Sequence, residues 1–187
     1  MMQALLADRF KLKVHYEIKQ VPTLALVLDK PGKLGPKMQP HPSDAACSVA
    51  IPPGGASSAN GGTPVTIAGG FPERCGAIAT WEVSGRFRMG ARNVPLATFI
   101  KQIVVPGFTG IDRPVLDKTG LEGTYDFVLE FTPQFTEPLP PGATFVPDPS
   151  GPTFQQALKE QLGLRLESQT GPATVFVVDH IEQPSEN

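Results

Sequence analysis

The chain has 187 residues, of which 40% are hydrophobic, and this is enough material for the core of one ordinary domain. Its formal net charge of -2 removes the electrostatic case for a protein that binds nucleic acid or anionic membranes. No run approaches the ~18–20 consecutive apolar residues of a membrane-spanning helix, so we expect no membrane span.

A helical pattern opens the chain over Met1–Phe10, without the basic segment or cleavage site of a signal peptide. No capping residue precedes this pattern, which predicts that an N-terminal segment has been lost. Apolar residues from Leu12 to Ile18 then alternate with polar ones and predict a strand with one solvated face. The next segment, Thr23–Leu28, is apolar on both faces, so we expect it to lie centrally in a sheet.

The same arrangement recurs near the C terminus. The positions that correspond in order are Leu6 with Leu158, Phe10 with Leu162, Leu12 with Leu164, Val14 with Leu166, and Leu26–Asp29 with Phe176–Asp179. Each copy is predicted as a helix, a strand, a turn containing Pro22 or Pro172, and a second strand. In the second copy, Thr153 and Gln156 form a capping-box pair and Gly163 is placed to end the helix. Its return strand, Ala173–Val178, is also expected to lie centrally.

A third unit lies between the copies. Arg86–Ala91 alternates as a strand, and Asn93 is positioned as the N-cap of a helix whose apolar residues run from Leu96 to Val104. Further strands are predicted at Val115–Leu116 and at Tyr125–Phe131. The order of these elements indicates a β-α-β unit.

Together these elements predict an α+β fold, with a mainly antiparallel sheet, amphipathic helices packed on it, and two long loops rich in Pro and Gly. About one third of the residues from Pro31 to Gly76 are Gly or Pro, which disfavours a helix or a central strand there. We expect one compact domain of five consecutive segments. These are a helix-hairpin unit (1–30), a Pro/Gly-rich excursion with both cysteines (31–83), the β-α-β unit (84–132), a Pro-rich loop (133–152) and a second helix-hairpin unit (153–187).

The two cysteines, Cys47 and Cys75, both fall in the first excursion. Neither has another Cys or a His at metal-ligand spacing, so a zinc site is not expected. A disulfide would close a loop of about 28 residues and restrain it by roughly 3–4 kcal/mol. The alternative is a pair of free thiols in a cytosolic protein. We favour the disulfide, which predicts a periplasmic or secreted protein.

Two groups of charged residues are candidates for function. Arg86, Arg88 and Arg92 follow one side of a strand and its exit, as a solvated face or as a docking surface for an acidic partner or anionic glycan. The acidic residues around the central turn could supply carboxylates to a hydrolase. They are Asp112, Asp117, Glu122 and Asp126. The histidines, at positions 15, 41 and 180, show no ligand spacing.

Three stretches carry a resemblance to a known family: Met2–Lys13, Arg113–Phe127 and Asp179–Asn187. They look like an uncharacterised secreted family, a domain of unknown function that is greatly expanded in soil acidobacteria. The resemblance implies a further N-terminal segment after a signal peptide and, in some members, fusion or adjacency to membrane zinc peptidases of the antibiotic-sensor type. It implies no activity and no catalytic residue. The unit at Phe87–Phe131 is also similar to the short N-terminal domains of secretins and TonB-dependent receptors.

Two functions remain open from the sequence. The first is a non-catalytic extracytoplasmic binding module for an envelope protein or peptide, with no catalytic, cofactor or metal residue. The second is an envelope hydrolase with a carboxylate site between Asp112 and Asp126. Nucleic acid is not an expected partner, and the sequence leaves the oligomeric state open.

Overall fold

The computed structural model describes residues 7, 9–43, 67–68, 71–72, 75–105, 108–135 and 142–183. Strands account for 48% of the structure and helices for 14%. The strands are β1 (Lys13–Leu28), β2 (Met38–Pro40), β3 (Ile67–Ala68), β4 (Phe71–Pro72), β5 (Ala77–Val83), β6 (Arg86–Val94), β7 (Val115–Asp117), β8 (Tyr125–Phe131) and β9 (Leu164–His180). The helices are α1 (Leu96–Ile103) and α2 (Phe154–Ala157), which continues as a π-helical turn over Leu158–Leu162.

The strands of the described chain form three sheets. A four-stranded sheet has the order β2-β8-β6-β5, a three-stranded sheet has the order β7-β1-β9, and β3 pairs with β4. Within the four-stranded sheet all pairs are antiparallel, whereas β7 runs parallel to β1. The protein is therefore built mainly from β-structure.

The predicted α+β fold of helix-plus-hairpin units is wrong. β1 continues through Pro22 and β9 continues through Pro172, so neither copy turns back on itself. Proline fixes φ near a value that an extended chain tolerates, and its missing N–H matters only where a neighbouring strand needs that donor. The two long strands pair with each other instead of folding into separate hairpins.

The predicted β-α-β unit does not form one sheet either, because β6 belongs to the four-stranded sheet and β7 pairs with β1. Asn93 is not the N-cap of α1. It has a φ of 55° in a β-bulge between Ala91 and Val94, and Pro95 occupies the N-cap position. The strands β2, β3, β4 and β5 lie within the segment 31–83.

The chain divides into two compact units. Unit 1 comprises residues 1–23 and 169–187, and unit 2 comprises residues 24–168, so β1 and β9 contribute to both. Ala7 and Arg9 have helical backbone, while the rest of the predicted helix before Phe10 lies outside the described residues. The predicted five segments are not tested by this division.

Unit 2 holds the buried core. Phe127, Leu129 and Phe131 alternate along β8 and are fully buried. Phe99 of α1 packs edge-on against Phe127 with ring centroids 4.8 Å apart, and Phe154 of α2 packs against Phe131 at 5.0 Å. Such aromatic pairs add about 0.5–1.5 kcal/mol each beyond the area they bury.

Helix α2 begins and ends as the sequence predicted. The Thr153 hydroxyl accepts a hydrogen bond from the Gln156 amide, and the Gln156 side chain accepts one from the Thr153 amide. The helix ends at Gly163, which has a φ of 71°. Gly163 also lies against the backbone of Gly35, whose amide donates to the carbonyl of Leu162.

Replacing Gly163 with alanine should destabilise the protein by more than the strain of its positive φ alone. A Cβ at Gly163 would meet the Gly35 nitrogen at 2.6 Å, whereas a Cβ at Gly120, whose φ is 68°, would meet nothing within 4 Å. We expect Gly120→Ala to lower the free energy of unfolding by about 1–2 kcal/mol, the usual cost of a left-handed alanine. Gly163→Ala should lower it by at least about 2 kcal/mol more.

Urea unfolding followed by circular dichroism measures both variants under the same conditions. Equal losses in the two variants would show that the contact between Gly35 and Gly163 is not a tight constraint.

Candidate functional site

Two of the three predicted docking arginines are paired within the chain. The β6–β8 register sets Arg88 opposite Glu130, and Arg88 donates to Glu130 Oε2 from Nε at 3.0 Å and from Nη2 at 2.6 Å. Arg86 binds Asp148 through Nε at 2.9 Å and Nη2 at 2.7 Å, and it reaches Glu130 Oε1 at 3.4 Å. These contacts neutralise much of the basic surface that the sequence suggested.

The pKa values of both carboxyl groups reflect this pairing. Burial raises the pKa of Glu130, but hydrogen bonds and charge from Arg88, with the charge of Lys37, hold it below its ordinary value. Hydrogen bonds from the Ser150 hydroxyl and amide, followed by one from Arg86, lower the pKa of Asp148 to about 2. Both groups are therefore ionised partners at neutral pH.

Arg92, the third arginine, lies apart from this network at the β-bulge of β6. Its carbonyl accepts a hydrogen bond from the Gly76 amide, and its Nε is buried without a hydrogen-bond partner among the described residues. Whether the three arginines dock an acidic partner or an anionic glycan stays a prediction.

A histidine that the sequence analysis set aside forms a nearly buried pair. His41 Nδ1 lies 2.8 Å from Asp126 Oδ1, and the same oxygen accepts the Asn93 amide at 2.8 Å. The carboxylate therefore links the end of β2 and the bulge of β6 to β8. The signal in the sequence was an acidic residue between the apolar Tyr125 and Phe127 of a core strand, because a buried carboxylate needs partners.

Three of the four candidate hydrolase carboxylates have separate partners, and the fourth residue, Glu122, accepts a hydrogen bond from the Tyr125 hydroxyl through its backbone carbonyl. Asp112 pairs with Arg113, which lowers the pKa of Asp112. Asp117 accepts hydrogen bonds from the amide and hydroxyl of Thr119, and Asp126 binds His41. Over the described residues, no three His, Cys, Asp or Glu side chains are grouped so that they could hold a metal ion.

Cys75 is buried beside β5, and Cys47 lies outside the described residues. The predicted disulfide between them therefore stays a prediction. In the part of the chain that the structure describes, no helix is both long enough and apolar enough to cross a membrane.

Unit 1 has an exposed apolar surface on one face of its two strands. Val14, Tyr16 and Ile18 of β1 share one face by alternation, and Tyr16 contacts Phe176 of β9 with ring centroids 5.6 Å apart. Phe176 and Val178 therefore lie on the same face. These five residues, here called the apolar stripe, are all exposed: Tyr16 by 64%, Ile18 by 77% and Phe176 by 53%.

The alternate residues of the same two strands carry charge. His15 Nδ1 lies 2.8 Å from each carboxylate oxygen of Asp179. The other ring nitrogen, Nε2, lies 2.7 Å from Glu17 Oε1. Lys19 also pairs with Glu17 at 3.0 Å. Unit 1 thus has a polar face with internal ion pairs and an apolar face that the described residues leave uncovered.

The comparisons with known proteins assign a family. The family described as "Protein of unknown function (DUF3738)" matches residues 1–181. The chain belongs to this family. No curated protein and no solved structure matches it. The resemblance inferred from the sequence is confirmed as far as an uncharacterised family, and the DUF3738 assignment brings no activity with it.

His15 gives a direct test of the polar face of this DUF3738 chain. Hydrogen bonds to Asp179 and then to Glu17 raise the pKa of His15 above 6.5. The stabilisation from this raised pKa is fully present below the unfolded pKa of about 6.5 and is lost as the pH rises through the folded pKa.

An NMR titration of the imidazole signals should therefore give a pKa for His15 above the ordinary value, and Asp179→Asn should lower it. Asp112→Asn, which removes a carboxylate from unit 2, should leave it unchanged. A His15 pKa that is insensitive to Asp179→Asn would contradict the hydrogen bonding described here.

Proposed function

We propose that this chain is a non-catalytic binding module that works outside the cytoplasm, with a polypeptide of the cell envelope as its partner. The observation that carries the proposal is the apolar stripe. Tyr16 and Phe176 are aromatic residues of the kind that bury ~150–250 Å² each when covered, yet both are more than half exposed. Contiguous exposed apolar surface of this kind is typical of interaction sites.

The absence of charge on the apolar stripe favours an apolar polypeptide partner over an anionic one. None of its five positions carries a charged side chain, so it offers no ion pair to a phosphate, nucleic acid or acidic glycan. An apolar surface gains roughly 25 cal/mol for each Å² removed from water. The partner that gains most is therefore another apolar protein surface.

The alternative, an envelope hydrolase near Asp112–Asp126, has no observation in its favour. Three of its four carboxylates already bind side chains of their own neighbourhood, namely Asp112, Asp117 and Asp126. The pKa of Asp112 is lowered, whereas a general acid needs a raised one. We therefore propose the binding module alone.

The extracytoplasmic location forms part of the proposal. It is supported by the resemblance to a secreted family expanded in soil acidobacteria and by the two cysteines. The link of some such proteins to membrane zinc peptidases makes an envelope partner reasonable. We propose that Cys47 and Cys75 form a disulfide, for which the structure describes only Cys75.

The disulfide predicts a mass and a stability difference. Protein exported to a bacterial periplasm should be lighter by two hydrogen atoms than its reduced form and should resist alkylation until a reductant is added. Cys47→Ser should lower the free energy of unfolding by roughly 3–4 kcal/mol in the exported protein. The same substitution should have little effect on reduced protein. Full alkylation of exported, unreduced protein would contradict the pairing.

The binding function is tested with the immobilised full chain and an envelope extract. We expect one or a few identified proteins to be retained by the wild type, and at least fivefold less of them by Ile18→Ser and by Phe176→Ser. Lys19→Ser is the matched control because Lys19 lies next to Ile18 but on the polar face. Unchanged retention by both stripe variants, or no retained protein at all, would contradict the proposed function.

A further inference from the structure

Residues that correspond in sequence have opposite burial in the two units. Leu26-Val27-Leu28-Asp29 of β1 corresponds to Phe176-Val177-Val178-Asp179 of β9. Leu26 is fully buried in unit 2, whereas its counterpart Phe176 is 53% exposed in unit 1. Leu164 is likewise fully buried, and its counterpart Leu12 is not. The same kind of sequence is therefore covered in one unit and uncovered in the other.

In unit 2, where Leu26 is part of the core, a strand also pairs with the outer edge of this segment. β7 pairs in parallel with β1, setting Val115 opposite Leu24 and Asp117 opposite Leu26. The ladder continues at both ends, where Leu24 N donates to Pro114 O and Lys118 N donates to Leu26 O, each at 2.9 Å. The positions of β9 that correspond to Leu24–Leu26 are 174–176.

No strand of the described chain pairs with β9 on the side away from β1. From Gly171 to Val178 this edge strand has no charged residue, and Thr174, Val175, Val177 and Val178 are β-branched. Natural edge strands are usually protected by charges, bulges or a covering element. Ala173–Val178 was expected to lie centrally in a sheet because it is apolar on both faces, whereas among the described strands β9 is an edge.

We propose that β9 binds an extended apolar strand of a partner polypeptide, which adds in parallel along 174–176 and extends the apolar stripe by one strand. The proposal rests on the binding function proposed above and names the form of the ligand. Main-chain hydrogen bonds at the edge would supply affinity, and alternate side chains lying beside Thr174 and Phe176 would supply specificity. The segment Pro114-Val115-Leu116 shows the chemistry that fits: a proline followed by aliphatic residues without charge.

A second copy of the chain fits this surface less well. The paired segments of unit 1 are about 11 residues long, which gives a face of ~36 Å by ~10 Å at the usual strand rise and spacing. Two such faces stacked together would bury ~700 Å² in total, below the ~1,000 Å² expected of a stable specific interface. Strand addition avoids this limit because it also satisfies the backbone groups of the edge.

The experiment uses the full chain and a fluorescent synthetic peptide with the sequence of residues 111–120, which includes β7. Fluorescence anisotropy should show saturable binding, and Phe176→Ser and Val178→Ser, both on β9, should each weaken it at least fivefold. Lys19→Ser, on β1, should bind within a factor of two of the wild type. Val178→Ser is informative even if Phe176→Ser disturbs folding, because Val178 is 50% exposed and contributes little to the fold. A peptide with Val115→Asp and Leu116→Asp is the ligand control.

Hydrogen exchange locates the bound strand. The amides of 173–178 should exchange rapidly in the free chain and at least tenfold more slowly with saturating peptide, while those of β8 should not change. Slow exchange at 173–178 in the free chain would overturn the proposal, because the edge would already be covered. So would the absence of saturable binding up to millimolar peptide, or a concentration-dependent dimer that Phe176→Ser abolishes.

The outcome is separable from that of the proposed function. If the peptide fails to bind but envelope proteins are still retained in a stripe-dependent way, strand addition is wrong and the binding module stands. If neither the peptide nor any envelope protein is bound through the apolar stripe, both proposals are wrong.

Discussion

The burial of one face of β8 is the constraint on which unit 2 depends. Its three alternating apolar residues, Phe127, Leu129 and Phe131, are fully buried, and the two helices reach them through Phe99 and Phe154. Because alternation has a period of two, fixing this face toward the core also fixes the polar residues of β8 on the opposite face. A shift of one residue would exchange the two sets, so core packing determines where the charges lie.

Those charges then find partners on neighbouring elements. Glu130 meets Arg88 across the β6–β8 pair, and Asp126 meets His41 at the end of β2. A carboxylate with little exposure is costly unless it is paired, so these contacts offset the burial that β8 imposes on them. The register of the sheet is sufficient to explain why these charged groups meet.

The sequence predicted local structure correctly where the residues that determine it lie close together in the chain. The capping box of α2 pairs Thr153 with Gln156, and Gly163 ends the helix, because capping depends on residues three to five apart. The Tyr125–Phe131 strand has the bounds that were predicted, since its alternation is regular. Asn93 was misassigned because its side chain suits an N-cap as well as the positive φ of a bulge, and only the β8 partner distinguishes them.

Pairing between distant segments could not be predicted in the same way. Pro22 and Pro172 looked like turns because proline often marks them, yet each lies in a strand whose partner is the other strand, about 150 residues away in the chain. His41 was missed for the same reason, since its partner Asp126 lies 85 residues further along. The sequence identified Arg86 and Arg88 as charged candidates but not their partners. Glu130 on β8 and Asp148 in the Pro-rich loop meet these arginines only because of the register of the sheet.

The alternation of a strand indicates that one face is to be covered, but it does not say by what. Leu24–Leu28 and Thr174–Val178 have the same character, and within the described part of the chain only the first has a strand on its outer side, which is β7. Burial is thus a property of the neighbour as much as of the segment. Because the hydrophobic free energy of Tyr16, Ile18 and Phe176 is not realised within the described chain, it is available to a partner. This free energy is the physical basis of the binding function proposed above.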